Sequence, residues 1–113
     1  MKVSHGDYEG VQVLKLEGDF DSFETDDVRR GFEKILSDES PSVIVDLGDM
    51  TFANSTTIAS FISAQRRAQS FGGTLVLAAP RDFIKKTLIT LGLNKVFPIA
   101  DSLAEARERI ETK

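Results

Sequence analysis

Three hydroxyl side chains stand in a row at Ser55, Thr56 and Thr57, directly after Asn54 and just ahead of an apolar helical pattern. At a helix start such a cluster can cap the helix, hold a phosphate, or carry one as a modification. Capping needs only one side-chain oxygen, from Asn54 or Ser55, accepting a first-turn N–H, and contributes about 1 kcal/mol. The unpaired N–H groups and partial positive charge of a helix start also favour an exposed anion by roughly 0.3–1 kcal/mol. A phosphate at 55–57 is therefore compatible with the helix. A glycine-rich phosphate cradle fits less well, because no glycine lies between Asp49 and Gly72 and no lysine follows the hydroxyls.

Catalytic readings find few partners. A nucleophilic Ser55 or Thr56 needs a base, and the single histidine, His5, lies near the start of the chain and reads as an ordinary surface residue. Asp19, Asp21, Asp46 and Asp49 could pair carboxylates for acid/base work or Mg²⁺, although acidic residues at strand ends more commonly cap helices and solvate turns. No cysteine is present, which excludes thiol chemistry and disulfides, and one histidine cannot form a histidine-rich metal cluster. A net charge of −4, spread without long blocks, argues against a phosphate-backbone partner such as nucleic acid. The opening "MKVSHGDYEG" lacks the apolar core of a signal peptide, and no later stretch has about 18 uninterrupted apolar residues. The expectation is a cytoplasmic protein without direct membrane insertion.

These groups need a frame, and 113 residues with 41% hydrophobic content and eight phenylalanines suffice for one core. No repeat or linker divides the chain, so residues 1–113 are expected to form a single domain. "VQVLKLEG" (11–18) reads as a strand, with "KVSH" pairing as an edge. From Ser22 to Ser37, Val28, Phe32, Ile35 and Leu36 mark the apolar face of a helix that Asp21 and Glu24 would cap. "SVIVDL" (42–47) is an unbroken apolar run, as expected of a central strand buried on both faces. From Ser55, the residues Ile58, Phe61, Ile62, Gln65 and Ala68 share one helical face, ended by "FGG" at 71–73. "TLVLAA" (74–79) gives the next strand. Pro80 then opens a helix with the stripe Phe83, Ile84, Thr87, Leu88 and Leu91, closed by Gly92. "VFPI" gives a last strand, and Ser102 with Glu105 forms a capping box for a helix using Leu103, Ala106 and Ile110. The order implies an α/β sandwich. Strands 42–47, 74–79 and 96–99, joined by single helices, should be parallel, with antiparallel pairing at an amino-terminal edge.

Three stretches together resemble the STAS domain family of bacterial anti-sigma factor antagonists. "VIVDLGDMTFANSTTIASFISAQRRAQSFGGTLVLAAP" is similar to the family's buried strand ending in Asp-Leu, its Asp-Ser-Ser-Gly motif, helix, glycine turn and strand. "IKKTLITLGLNKVFPI" resembles its helix, Leu-x-Gly-Leu turn and Phe-Pro-Ile strand, and "LEGDFDSFETDDVRRGF" its entry into the first helix. The resemblance implies a mixed, mostly parallel sheet of four to five strands with about four helices. It also implies a binding protein and not an enzyme, with no cofactor.

In that family the second hydroxyl of the motif is phosphorylated by a kinase that is also the anti-sigma factor. Matched position by position, that residue is Thr56, with Ser55 as second choice. Asn54 stands where the family usually has Asp, and Thr57 where it usually has Gly. The function implied is a phosphorylation-controlled binding switch that sequesters the anti-sigma factor kinase and frees a sigma factor, with a phosphatase resetting it. Asp21, Asn54, Ser55, Thr56, Thr57, Ala59, Ser60 and Ser63 are the expected partner-binding residues. The alternative is a constitutive STAS scaffold in a signalling complex or on a transporter. A small enzyme or nucleotide binder using the acidic strand ends is a third reading.

Overall fold

The computed structural model describes residues 2–20, 25–53 and 55–111. Strand β1 (Lys2–Tyr8) turns into β2 (Val11–Phe20), which leads to helix α1 (Thr25–Ile35). Strands β3 (Val43–Asp46) and β4 (Met50–Ala53) precede α2 (Ser55–Ser70). Then come β5 (Leu75–Ala78), α3 (Asp82–Thr90), a 3₁₀ turn at Leu93–Lys95, β6 (Ile99–Ala100) and α4 (Leu103–Glu111).

The sheet runs β1-β2-β3-β5-β6, with β4 paired to the far end of β2. β1 is antiparallel to β2, and the β2/β3, β2/β4, β3/β5 and β5/β6 pairs are all parallel. The expected mixed, mostly parallel sheet is thus present, with β3 central between β2 and β5 as its unbroken apolar run implied.

Period-two alternation sorts the side chains of the central strands into two layers. Leu14, Leu16, Val43, Val45, Leu75 and Leu77 pack on one face with α1, α2 and α3 residues Val28, Phe32, Phe61, Ala64, Ile84 and Leu88. Val13, Ile44, Val76 and Ala78 point the other way, onto Ala106, Leu103 and Ile110 of α4. A strand buried on both faces has no polar side to show, which is why β3 and β5 read as continuous hydrophobic runs.

Local signals mostly hold. α1 buries Val28, Phe32 and Ile35, and Leu36 just beyond its last residue is buried too. Its expected cap at Asp21 and Glu24 lies outside the described residues. α2 ends as its glycines imply, with Gly72 at φ 87° and the Gly73 N–H donating to Ala68 O at 2.8 Å. At α4 the Glu105 N–H donates to Ser102 Oγ at 3.1 Å. The Glu105 carboxylate reaches the Asp101 N–H at 3.2 Å, one residue earlier than a regular capping box.

Three expectations need correction. β4 was not predicted: "MTFA" is too short to declare itself, and it forms because β2 runs on past its β3 partner and leaves Gly18–Phe20 open to pairing. The last strand is Ile99–Ala100 and not 96–99. Pro98 has no N–H to donate, although its carbonyl accepts from Leu77 N at 3.0 Å. The stripe on α3 is only half buried: Ile84 and Leu88 face the core, whereas Phe83 and Leu91 are 64% and 58% exposed.

Candidate phosphorylation and partner-binding site

β4 delivers the chain to the start of α2, and helical rotation of about 100° per residue then separates the hydroxyls. Ser55 and Thr56 are exposed, while Thr57 is fully buried. Thr57 therefore leaves the expected partner-binding set, because its position shares the inward face with Ile58, Phe61, Ala64, Gln65 and Ala68. Asn54 and Asp21 lie outside the described residues, so their expected roles as cap and partner contacts have no structural account.

Four of the expected residues come together. Thr56, Ala59, Ser60 and Ser63 climb one face of α2 at steps of three and four, and all four line a groove between α1 and α2 of about 430 Å³. Arg29, Phe32 and Glu33 of α1 and Ala64 and Arg67 of α2 complete it. Phe32 is buried at the base of the groove, its ring meeting Phe61 edge-on at 6.1 Å and 86°. Arg29 pairs with Glu33 at 3.6 Å on the rim, and Arg67 lies 5.8 Å from the centre of the Phe71 ring. Ser60 Oγ donates to the Thr56 carbonyl at 3.2 Å, turning that hydroxyl back onto the helix. The Thr56 side chain stands exposed at the groove's helix-start end. Ser55 is exposed but is not among the residues lining the groove.

Sequence reasoning missed the α1 side of this groove, Arg29, Phe32 and Glu33. The available signal was the small-residue series on α2 at 56, 59, 60 and 63, which leaves room for a neighbour. It does not say which helix that neighbour is.

The acidic strand ends are occupied otherwise. Asp46 Oδ1 accepts the Gly48 N–H at 3.0 Å and closes the turn between β3 and β4, and Arg81 Nε donates to Gly48 O at 3.1 Å from outside it. Asp49 pairs with Lys15 at 3.2 Å. That hydrogen bond, with the Glu17 charge beside it, raises the Lys15 pKa above 10.5. Asp49 does not line the α1/α2 groove. Among the described residues no group of three or more His, Asp or Glu is placed to hold a metal ion.

Residues 5–106 match the STAS domain family. The chain belongs to that family. Among solved structures, this STAS fold is similar to an anti-sigma factor antagonist from Mycobacterium paratuberculosis, at TM-score 0.86 and 18% identity over 97% of this chain and 93% of that one. It is similar to the Bacillus cell fate determinant SpoIIAA in its phosphorylated form, at TM-score 0.72 and 18% identity over 96% and 99% of the two chains. It is also similar to a sulfate transporter family protein from Wolinella succinogenes, at TM-score 0.73 and 16% identity over 88% and 84%. At such identities the likeness is one of fold. No helix among the described residues is long and apolar enough to cross a membrane.

Proposed function

We propose that this STAS protein is a cytoplasmic anti-sigma factor antagonist whose binding is switched by phosphorylation of Thr56. It sequesters an anti-sigma factor that is also a serine/threonine kinase and frees the sigma factor. Phosphorylation by that kinase releases the complex, and a phosphatase restores it. The observation that carries this reading is the exposure of Thr56 at the first turn of α2, at one end of the α1/α2 groove. The fold likeness to SpoIIAA, solved in a phosphorylated form, adds support.

The physical chemistry suits a switch by charge. Phosphate on Thr56 adds about −1.5 to −2 charges at neutral pH. The helix start tolerates them, so the free domain keeps its fold. A partner seated over Thr56, Ala59 and Ser63 must desolvate or repel those charges, and each 1.4 kcal/mol of that cost weakens binding about tenfold. Ser55, exposed one position earlier, is the second choice as acceptor.

A constitutive scaffold, in a signalling complex or on a transporter, is the second reading. The likeness to the sulfate transporter family protein favours it, as do the departures from the motif at Asn54 and Thr57. Mass spectrometry of the protein from its native cells, growing and stressed, separates the two. Trypsin releases the hydroxyl cluster in the peptide bounded by Lys34 and Arg66. Phosphate on Thr56 that changes with condition is expected, whereas full coverage without phosphate in either state leaves the scaffold reading.

A further inference from the structure

On the opposite flank of α1 from Thr56, the chain builds a second groove, and it is basic. Lys2, Val3, Ser4 and His5 of β1, with Leu14 of β2, meet Asp27, Arg30, Gly31 and Lys34 of α1 around a volume of about 360 Å³. Four consecutive strand residues line it, so the groove follows the edge of β1 and is not confined to one face of the strand. α1 can come this close because position 31 is glycine. A Cβ there would meet Leu14 Cδ1 at 3.0 Å and Val3 Cγ1 at 3.3 Å. The close approach carries Arg30 and Lys34, one turn apart, to the strand edge. Lys2, Arg30 and Lys34 have no ion-pair partner among the described residues, and Asp27 is the groove's one carboxylate. A protein of net charge −4 thus gathers three cations against one carboxylate in this groove.

The backbone beside these cations is open. β1 has a strand partner on one side only, and among the described residues nothing pairs with its outer edge. The β1–β2 loop has two residues, Glu9 at φ 48° and Gly10 at φ 93°, both left-handed as in a type I′ turn. The flanking Tyr8 and Val11 then form a hydrogen-bonded pair, as do Gly6 with Val13, Ser4 with Lys15 and Lys2 with Glu17. Val3, His5 and Asp7 direct their backbone N–H and C=O groups outward. A lysine on an edge strand can by itself discourage sheet-to-sheet pairing. Here two helix cations are brought to the same edge, over a half-buried floor of Val3 and a buried Leu14. That combination selects by charge and does not simply exclude.

We infer that the β1 edge and the α1 cations form a second docking surface, which takes an extended, acidic segment of a partner protein by strand addition. The segment's backbone pairs with the outward groups of Val3, His5 and Asp7, which supplies affinity. Acidic side chains at alternate positions face α1 and meet Arg30 and Lys34, which supplies selectivity. This surface lies apart from Thr56 and does not depend on its phosphorylation.

The test is an amide NMR titration of the full chain with a short capped peptide alternating threonine and glutamate. A threonine–lysine peptide and inorganic phosphate serve as comparisons. Shifts confined to residues 2–7 and 27–34 are expected, with slowed hydrogen exchange at Val3, His5 and Asp7. The double change Arg30→Glu with Lys34→Glu, both exposed, should weaken the peptide at least about tenfold. His5→Pro removes one outward N–H without touching the bonds to β2, and should weaken it while circular dichroism stays unchanged. The inference is overturned if no shifts occur, if they fall on the α2 groove, or if the lysine peptide binds equally. It is also overturned if phosphate alone reproduces the shifts, or if the charge reversal leaves affinity unchanged.

Discussion

Gln65→Leu tests the reasoning about how α2, and with it Thr56, is held in place. Gln65 is 2% exposed, in the middle of the inward face of α2. Its Oε1 accepts the Leu75 N–H at 2.7 Å, and its Nε2 donates to Val96 O at 2.9 Å and to Thr74 Oγ1 at 3.1 Å. Leu75 N can only donate and Val96 O can only accept, so the partners fix the amide orientation. One side chain thereby ties α2 to the start of β5 and to the segment before β6. Leucine has similar bulk but no polar atoms. The fully buried Leu75 N–H would lose its acceptor, at about 1–3 kcal/mol, and the part-buried Val96 carbonyl would exchange its bond for about 0.5–1.5 kcal/mol more. Burying the leucine methyls offsets part of this, leaving a net loss of about 2 kcal/mol. For a domain of this size that lowers Tm by about 8 °C. Thermal and urea melts followed by circular dichroism would measure it, with an unchanged urea slope showing that the effect is on stability alone. A Tm within about 2 °C of the parent would refute the idea that this network anchors the helix.

Other consequences are as specific. Gly73→Ala places a Cβ 2.1 Å from Pro41 O, a backbone atom that cannot swing aside, so a loss of about 3 kcal/mol or failure to accumulate folded protein is expected in the same melts. Ala59→Arg puts a long cation into the α1/α2 groove from an exposed position, and should lower partner affinity at least about tenfold in calorimetry while leaving Tm unchanged. Lys15 has a folded pKa raised above 10.5, chiefly by Asp49 and then Glu17. The stability it adds is complete below 10.5 and is lost as pH rises through the shifted value. Melting curves of the parent and Lys15→Met should therefore converge as pH is taken above that range. A gap that persisted there would assign the stabilisation to something other than the charge.

The parts of the fold legible in the sequence are those in which burial and local chemistry agree. β3 and β5 announce themselves because both faces are covered, and α4 does so because Ser102 and Glu105 cap it within one turn. The parts not legible depend on distant partners. β4 exists because β2 outruns β3, and nothing in Met50–Ala53 alone encodes that. On α3, Phe83 and Leu91 fit the helical stripe as well as Ile84 and Leu88 do. Only the placement of the helix at the rim of the sheet leaves the first pair in water.

The candidate site divides the same way. Thr56, Ala59, Ser60 and Ser63 were expected as partner contacts from the family resemblance, and the helical spacing of α2 does bring these four to one groove. The same spacing, followed strictly, would also have turned Thr57 inward with Phe61 and Ala64. The opposing wall of Arg29, Phe32 and Glu33 came from a helix more than twenty residues upstream, a juxtaposition set by crossover packing over the sheet and not by any local pattern.

The switch proposed for Thr56 is tested most directly by the affinity of the anti-sigma factor kinase for the parent protein and for Thr56→Glu, measured by calorimetry. Gln69→Glu serves as a control, adding the same charge on an exposed part of α2 away from the groove. At least about tenfold weaker binding for Thr56→Glu, with Gln69→Glu unchanged, is the expected result. Equal affinity of all three for the kinase would contradict the account.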